Sequence, residues 1–168
     1  MTEHGAALRE IQAPLKQRYR ADPQSALLTL HAAAELGDEG VSCSVQTGKA
    51  MVTAGLHPYS GGDGTLACSG DMLLEALAAC AGVTMRAVAT SLGIAVSGRL
   101  RVEGDLDFRG TLGVDKGARV GFTAIRVIAD IETDADAEQR AALVKLTERY
   151  CVVLQTLVTS PEVSLRTA

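Results

Sequence analysis

The sequence predicts an α+β fold in which antiparallel sheets pack around a long central helix, and three observations lead there. Candidate strands come in antiparallel pairs separated by two helical regions, which argues against the strict strand–helix alternation of a doubly wound parallel sheet. The longest helical stretch, about residues 71–92, is apolar nearly all round, and only burial makes such a helix stable in water. With 168 residues, 47% hydrophobic and 21% charged, the chain is long and apolar enough for its own core and far from a disordered composition. Three Tyr, two Phe and no Trp leave that core to aliphatic side chains.

At the N-terminus, Leu8, Ile11, Leu15 and Tyr19 recur at helical spacing, interrupted by Pro14 and closed by Asp22-Pro23. A short broken helix is expected, forming a helical arm over residues 1–25 ahead of a single domain over 26–168. Leu28, Leu30, Ala32, Ala34 and Leu36 then alternate, and after GDEG so do Val41, Cys43, Val45 and Thr47, which predicts a β-hairpin. A third extended stretch, KAMVTAGL, leads into HPYSGGDGTLACSGD, whose glycines mark a flexible loop. The long helix follows, with Asp71 as its N-cap and Gly93 as its stop.

The strand from Arg99 to Phe108 turns Leu100, Val102, Leu106 and Phe108 one way and Arg99, Arg101, Glu103, Asp105 and Asp107 the other. Its partner runs from about Val120 to Glu132. Asp134 or Asp136 then starts a helix reaching about Tyr150, and Gln139 is placed to complete a capping box with Asp136. CVVLQTLVTS reads as a further helical stretch, and PEVSLRTA as a closing edge strand begun by Pro161.

Sixteen basic and twenty acidic side chains give a net charge of −4 with no block of one sign, so nucleic acid is not an expected partner. Lys16, Arg18, Tyr19 and Arg20 read as a solvated face. The N-terminus carries charges where a secretory signal needs an apolar run, which places the protein in the cytoplasm. The run from Met72 to Ile94 is long enough for a bilayer but contains Glu75 and Arg86, so it reads as a buried helix and no membrane partner is expected. A two-layer chain of this size has little room to bury that helix completely, and a homodimer burying it between subunits is predicted.

His4, His31 and His57 lie far apart, with no CxxC or HxxxH spacing, so no metal site is expected, and no cofactor either. GGDG lacks the Gly-Lys-Ser/Thr of a phosphate loop, and no GxSxG elbow occurs. Four cysteines remain to be weighed, and they stay reduced in a reducing compartment unless function oxidises them. Cys43 lies on an apolar strand face and reads as core; Cys68 falls in a loop. Cys80 sits mid-helix among Leu73, Ala76, Leu77, Val83, Thr84 and Ala87, which suits a small buried hydrophobe as well as a reactive thiol. Cys151 stands where two helical segments meet, and a helix start there, with Arg149 nearby, would lower its thiol pKa.

The segment SGDMLLEALAACAGVTM resembles the central-helix signature of the OsmC/Ohr family, the osmotically inducible and organic-hydroperoxide-resistance proteins, and TERYCVVLQTL resembles that family's second cysteine motif. The resemblance covers roughly Ala26 to Arg166, in the same order of elements. It implies an OsmC-like fold, an intertwined homodimer and a thiol-dependent peroxidase that reduces organic hydroperoxides in oxidative-stress defence, with an external dithiol as reductant. Carried over, Cys80 attacks the hydroperoxide and Cys151 resolves the sulfenic acid into a disulfide, although the residues themselves leave that order open. Substrate contacts are expected from His57, Tyr59, Leu77 and Thr84, around an apolar pocket. The sequence departs from the family in one respect: the Glu that holds an activating Arg is replaced by Gly70, and the loop ahead of the helix has no arginine. Arg18, Arg20 and Arg86 are the candidates to substitute. The alternative is a non-enzymatic homodimer of the same fold that binds a small molecule or senses redox state through its thiols.

Overall fold

The computed structural model describes residues 3–36, 43–45 and 54–165. Its first helix, α1 (Glu3–Ala21), is continuous through Pro14 rather than broken there. A proline removes the hydrogen bond to the carbonyl four residues back, but Glu10 and Pro14 are both exposed, so water can take that carbonyl. The far end is anchored: Tyr19 is fully buried and its hydroxyl donates to the Tyr59 carbonyl at 2.8 Å. Asp22 caps the following 3-10 turn, Pro23–Ala26, by accepting from the Gln24 N–H.

Strands β1 (Leu27–Leu36) and β2 (Cys43–Val45) form the expected antiparallel hairpin, with Ala34 opposite Val45 and Leu36 opposite Cys43. The GDEG turn, Val41, Thr47 and the side chain of Cys43 lie outside the described residues, as does most of KAMVTAGL. The described end of that stretch, β3 (Ala54–Gly55), pairs in parallel with β4 (Ala67–Cys68), so Cys68 belongs to a short strand and not to a loop. Between them the glycines serve close packing instead of a loose hinge: a Cβ on Gly62 would lie 1.7 Å from the Leu56 carbonyl oxygen.

Helix α2 (Ser69–Leu92) starts before Asp71, which therefore sits in the first turn, where a carboxylate favours the helix dipole, and not at the cap. It stops as expected at Gly93, whose φ of +68° is left-handed. Leu74, Leu77, Ala81, Met85 and Val88 are buried, whereas Met72, Leu73 and Val83 remain 37–40% exposed on another face. By length and composition this is the one helix among the described residues able to cross a membrane. Glu75 is half-buried, and Arg86 donates to the Val96 carbonyl at 2.9 Å.

In β5 (Ser97–Asp107), Leu100 and Val102 point inward as predicted. Asp107 does too, contrary to its expected outward position. Its carboxylate accepts from the backbone and side chain of Arg109, capping the short helix α3 (Phe108–Thr111) and receiving the cation that makes a buried carboxylate tolerable. Phe108 accordingly begins that helix and does not extend the strand. Strand β6 (Phe122–Glu132) is antiparallel to β5, because Arg101 pairs with Asp130 while Arg126 pairs with Asp105. The sheet order is β2-β1-β5-β6. Helix α4 (Ala137–Tyr150) opens with the Asp136–Gln139 capping box, and α5 (Val152–Val158) follows with Cys151 between them. No strand forms over residues 161–165, where Val163 and Leu165 are largely exposed; an edge strand needs a free edge to pair with, and none of the described strands takes this segment.

The chain divides into two compact units: Met1–Ala32, Thr47–Glu75 and Val102–Val127 make one, and Ala33–Gln46, Ala76–Arg101 and Ile128–Ala168 the other. In the first, Tyr19, Ala26, Phe108 and Leu112 form a core with Leu15, Leu28, Tyr59 and Leu106 against them. The second buries Leu77, Met85, Val88, Leu100, Leu143 and Cys151.

Candidate active site

The second unit contains both candidate thiols. Cys80 is half-buried on the middle turns of α2, and Cys151, fully buried, occupies the junction of α4 and α5. Both are free thiols, and each bears on the acidity of the other. A capping residue that leaves α4 in extended geometry and enters α5 one residue later directs the first N–H groups of α5 at whatever lies beside it. The recipient here is Cys80.

Burial pushes the Cys80 thiol up, but the polar groups around it, the Val153 N–H, the Cys151 thiol, the Thr84 hydroxyl and the Val152 N–H, outweigh it and hold Cys80 below the ordinary thiol value. Cys151 moves the other way. Burial, joined by the neighbouring Cys80 and its charge, raises it to about 11, with the Leu154 and Val153 N–H groups opposing only in part. The expectation that a helix start would acidify Cys151 is therefore corrected in sign: the donors are present, but complete burial of Cys151 dominates and Cys80 is the thiol that gains. Arg149 is not among the main influences on either thiol; its guanidinium lies over the Tyr150 ring, 5.5 Å from the centroid.

The main influences on Cys80 are burial and neutral groups. Arg86 is engaged with the Val96 carbonyl. Arg18, in the first unit, lies 5.0 Å from the Tyr19 ring centroid and 5.9 Å from that of Tyr59.

The four expected substrate-contact residues separate. Thr84, one helical turn after Cys80, lines an open apolar groove of about 480 Å³ between α2 and α4, with Val83, Ala87, Val88, Ser91, Leu146 and Tyr150. Leu77 belongs to the same unit but faces the core, 1% exposed. His57 and Tyr59 belong to the first unit, where they form an aromatic cluster with Phe108, ring centroids 5.2–5.6 Å apart. His57 Nδ1 accepts from the Tyr59 N–H and so caps the Pro58–Ser60 turn. Burial lowers the His57 pKa and raises that of Asp71, and the charge of each on the other opposes both shifts only in part. Leu146, Tyr150 and the Val152 and Val153 amides escaped the sequence reading. The amides had a signal in the helix start at Cys151, whereas the groove residues depend on how α4 docks. Among the described residues no cluster of His, Cys, Asp or Glu is arranged to hold a metal.

Comparison with known proteins agrees with this architecture. No curated protein matches the sequence. Among solved structures, an OsmC-like hydroperoxide resistance protein from Jannaschia sp. CCS1 superposes with a TM-score of 0.56 at 14% identity, over 85% of this chain and 94% of that one. At that identity the likeness speaks to the fold. The family model for OsmC-like proteins matches residues 62–166, a span that takes in α2, β5, β6, α4, α5 and both Cys80 and Cys151. With more than half of its length matched, the chain belongs to the OsmC-like protein family.

Proposed function

We propose that the protein is a thiol-dependent peroxidase that reduces organic hydroperoxides through a Cys80–Cys151 disulfide cycle, in oxidative-stress defence. One observation carries this reading: two neighbouring thiols act on each other's acidity, and their surroundings lower the pKa of Cys80 and raise that of Cys151. Family membership and the hydroperoxide resistance function of the structural relative support it.

The Cys80 thiolate attacks the terminal hydroperoxide oxygen. The O–O bond breaks, the alkoxide leaves and takes a proton to become the alcohol, and Cys80 is oxidised to the sulfenic acid. Cys151 stays protonated during this step, which suits a donor. Once Cys80 is a neutral sulfenic acid, the charge that raised Cys151 is gone and its thiol ionises more readily. Cys151 then attacks the Cys80 sulfur, the disulfide forms and water leaves. An external dithiol reduces the disulfide by two exchanges and is itself oxidised to a disulfide. The cycle uses no metal or cofactor, and its partners are a small hydroperoxide and the dithiol, in a reducing compartment such as the cytoplasm. A homodimer covering the exposed stripe of α2 is part of the same reading.

A second reading, a non-enzymatic homodimer that binds a small molecule or senses redox state, is favoured by the neutral character of the main groups acting on Cys80. Consumption of cumene hydroperoxide with dithiothreitol separates the two. The peroxidase reading expects turnover in the wild type, none in Cys80→Ser, and, when the hydroperoxide is added before any dithiothreitol, a single equivalent consumed by Cys151→Ser to give the sulfenic acid without a Cys80–Cys151 disulfide. Folded wild type that adds nothing to the rate of free dithiothreitol would overturn it.

A further inference from the structure

Side chains of α1 donate to main-chain carbonyls of the Pro58–Ser60 turn: Gln12 Nε2 to Ser60 at 3.0 Å and the Tyr19 hydroxyl to Tyr59 at 2.8 Å. Both acceptors are in place only while the turn keeps its shape. His57 sets that shape. Its carbonyl accepts from the Ser60 N–H at 2.8 Å, the Ser60 hydroxyl at 2.9 Å and the Gly62 N–H at 3.1 Å, and its ring accepts at Nδ1 from the Tyr59 N–H at 3.1 Å. An acceptor at Nδ1 requires the neutral tautomer with its proton on Nε2. A second proton has to go to Nδ1, where it meets the Tyr59 N–H, donor against donor. The ring must then turn away, and it cannot do so alone. It stacks on Phe108 with centroids 5.2 Å and planes 28° apart, and Phe108 packs in one cluster with Tyr19, Leu15 and Tyr59.

We propose that His57 is a proton-sensitive clasp for α1: neutral, it caps the Pro58–Ser60 turn and keeps the Tyr59 and Ser60 carbonyls presented to Tyr19 and Gln12; protonated, it gives up the cap and the Phe108 stack, and α1 is released from the turn. The charged and titratable groups around the ring are accounted for. Arg18 on α1 reaches the Tyr59 ring, 5.9 Å from its centroid, and the Tyr19 phenol is held neutral by burial. Arg109 on α3 is paired with Asp107 and Asp115. Asp71, in the first turn of α2, favours the protonated ring, but burial of His57 outweighs it and holds the His57 pKa below its ordinary value. The docked state therefore binds fewer protons than the released one. Its stability is complete above the ordinary histidine value and is lost as the pH falls through the lowered one. Every group involved lies in the first unit, so the inference is independent of the peroxidase reading.

The test is amide hydrogen exchange of the full chain, read by mass spectrometry at about pH 7.5 and about pH 5, either side of the ordinary histidine value, with rates corrected for the intrinsic effect of pH. Peptides from α4 serve as the internal reference. In the wild type, protection of the second half of α1, Glu10 to Ala21, is expected to fall about fivefold at the lower pH, the factor one lost hydrogen bond is worth, while α4 stays protected. His57→Asn supplies a side-chain oxygen that caps the same turn without titrating, and α1 should then be equally protected at both values. His57→Ser is a second cap of that kind should His57→Asn not fold. Wild-type protection of α1 that is the same at both values overturns the proposal. So does a loss shared equally by α4, which is general acid loosening, and so does an Asn or Ser variant whose α1 still loosens in acid, which would place the responsible proton elsewhere, at Asp71 for instance.

Discussion

Cys80 and Cys151 differ in acidity because of what surrounds each, not because of where each stands along the chain. Both meet N–H groups at the start of α5, yet Cys151 is completely buried and Cys80 is not. A lowered thiol gains thiolate at lower pH, so Cys80 alkylation is expected to rise through a midpoint below that of a free thiol and then level off, while Cys151 stays unreactive until the pH approaches 11. Cys151→Ala removes an S–H donor from Cys80 and should shift that midpoint upward; peptide-resolved labelling reads both effects, and equal labelling of the two cysteines at neutral pH would contradict them. The pair itself was legible from two motifs. The direction of the shifts was not, because local sequence shows which donors exist and not which of two neighbours is desolvated. Leu77 makes the same point: a position three residues before Cys80 looks like pocket lining, but its exposure depends on the layer packed against it.

Where a helix is defined by its own side chains, the sequence is a good guide. The Asp136–Gln139 box needs only two residues three apart, and both of its hydrogen bonds are present, at 2.8 and 3.1 Å. Asp136→Ala leaves the first-turn amides of α4 without that acceptor and is expected to lower stability by about 1 kcal/mol, seen as a lower urea midpoint with unchanged slope. Because α4 carries Leu143 into the core and ends at Cys151, the same substitution should loosen the thiol site and speed Cys151 labelling. Elements that depend on a distant partner were less legible. PEVSLRTA has the alternation of an edge strand, yet residues 161–165 pair with no described strand, since alternation states which face a strand would bury and not which edge will accept it. At α1 the error was opposite in kind: Pro14 weakens a helix locally, and the burial of Tyr19 beyond it outweighs that cost.

At the scale of the whole molecule, α2 poses the remaining physical problem. A helix apolar on every face was expected to be buried on every face, but within this chain Met72, Leu73 and Val83 stay 37–40% exposed, and Val163 and Leu165 add further uncovered apolar surface. Residues 72, 73, 76, 80, 83 and 87 fall at helical spacing, so the exposed positions Met72, Leu73, Ala76, Val83 and Ala87 form one stripe in line with Cys80. Scattered apolar side chains on a surface need no partner, whereas a continuous stripe along a 24-residue helix favours association. Under the homodimer proposal the occupant of that stripe is the same helix of a second copy, related by a two-fold axis so that one patch meets itself. Wild type is then expected to run at twice the chain's mass in size-exclusion chromatography with light scattering. Met72→Glu with Leu73→Glu, which leaves the buried Leu74 and Leu77 untouched, should give a folded monomer by burying unpaired charge in an apolar interface. A wild type that scatters as a monomer across concentrations, or a double variant that remains dimeric, would show that the stripe is not a subunit contact. If the dimer does form through α2, Cys80 lies in the seam between subunits, and the monomeric variant should expose its thiol and alkylate it faster than wild type.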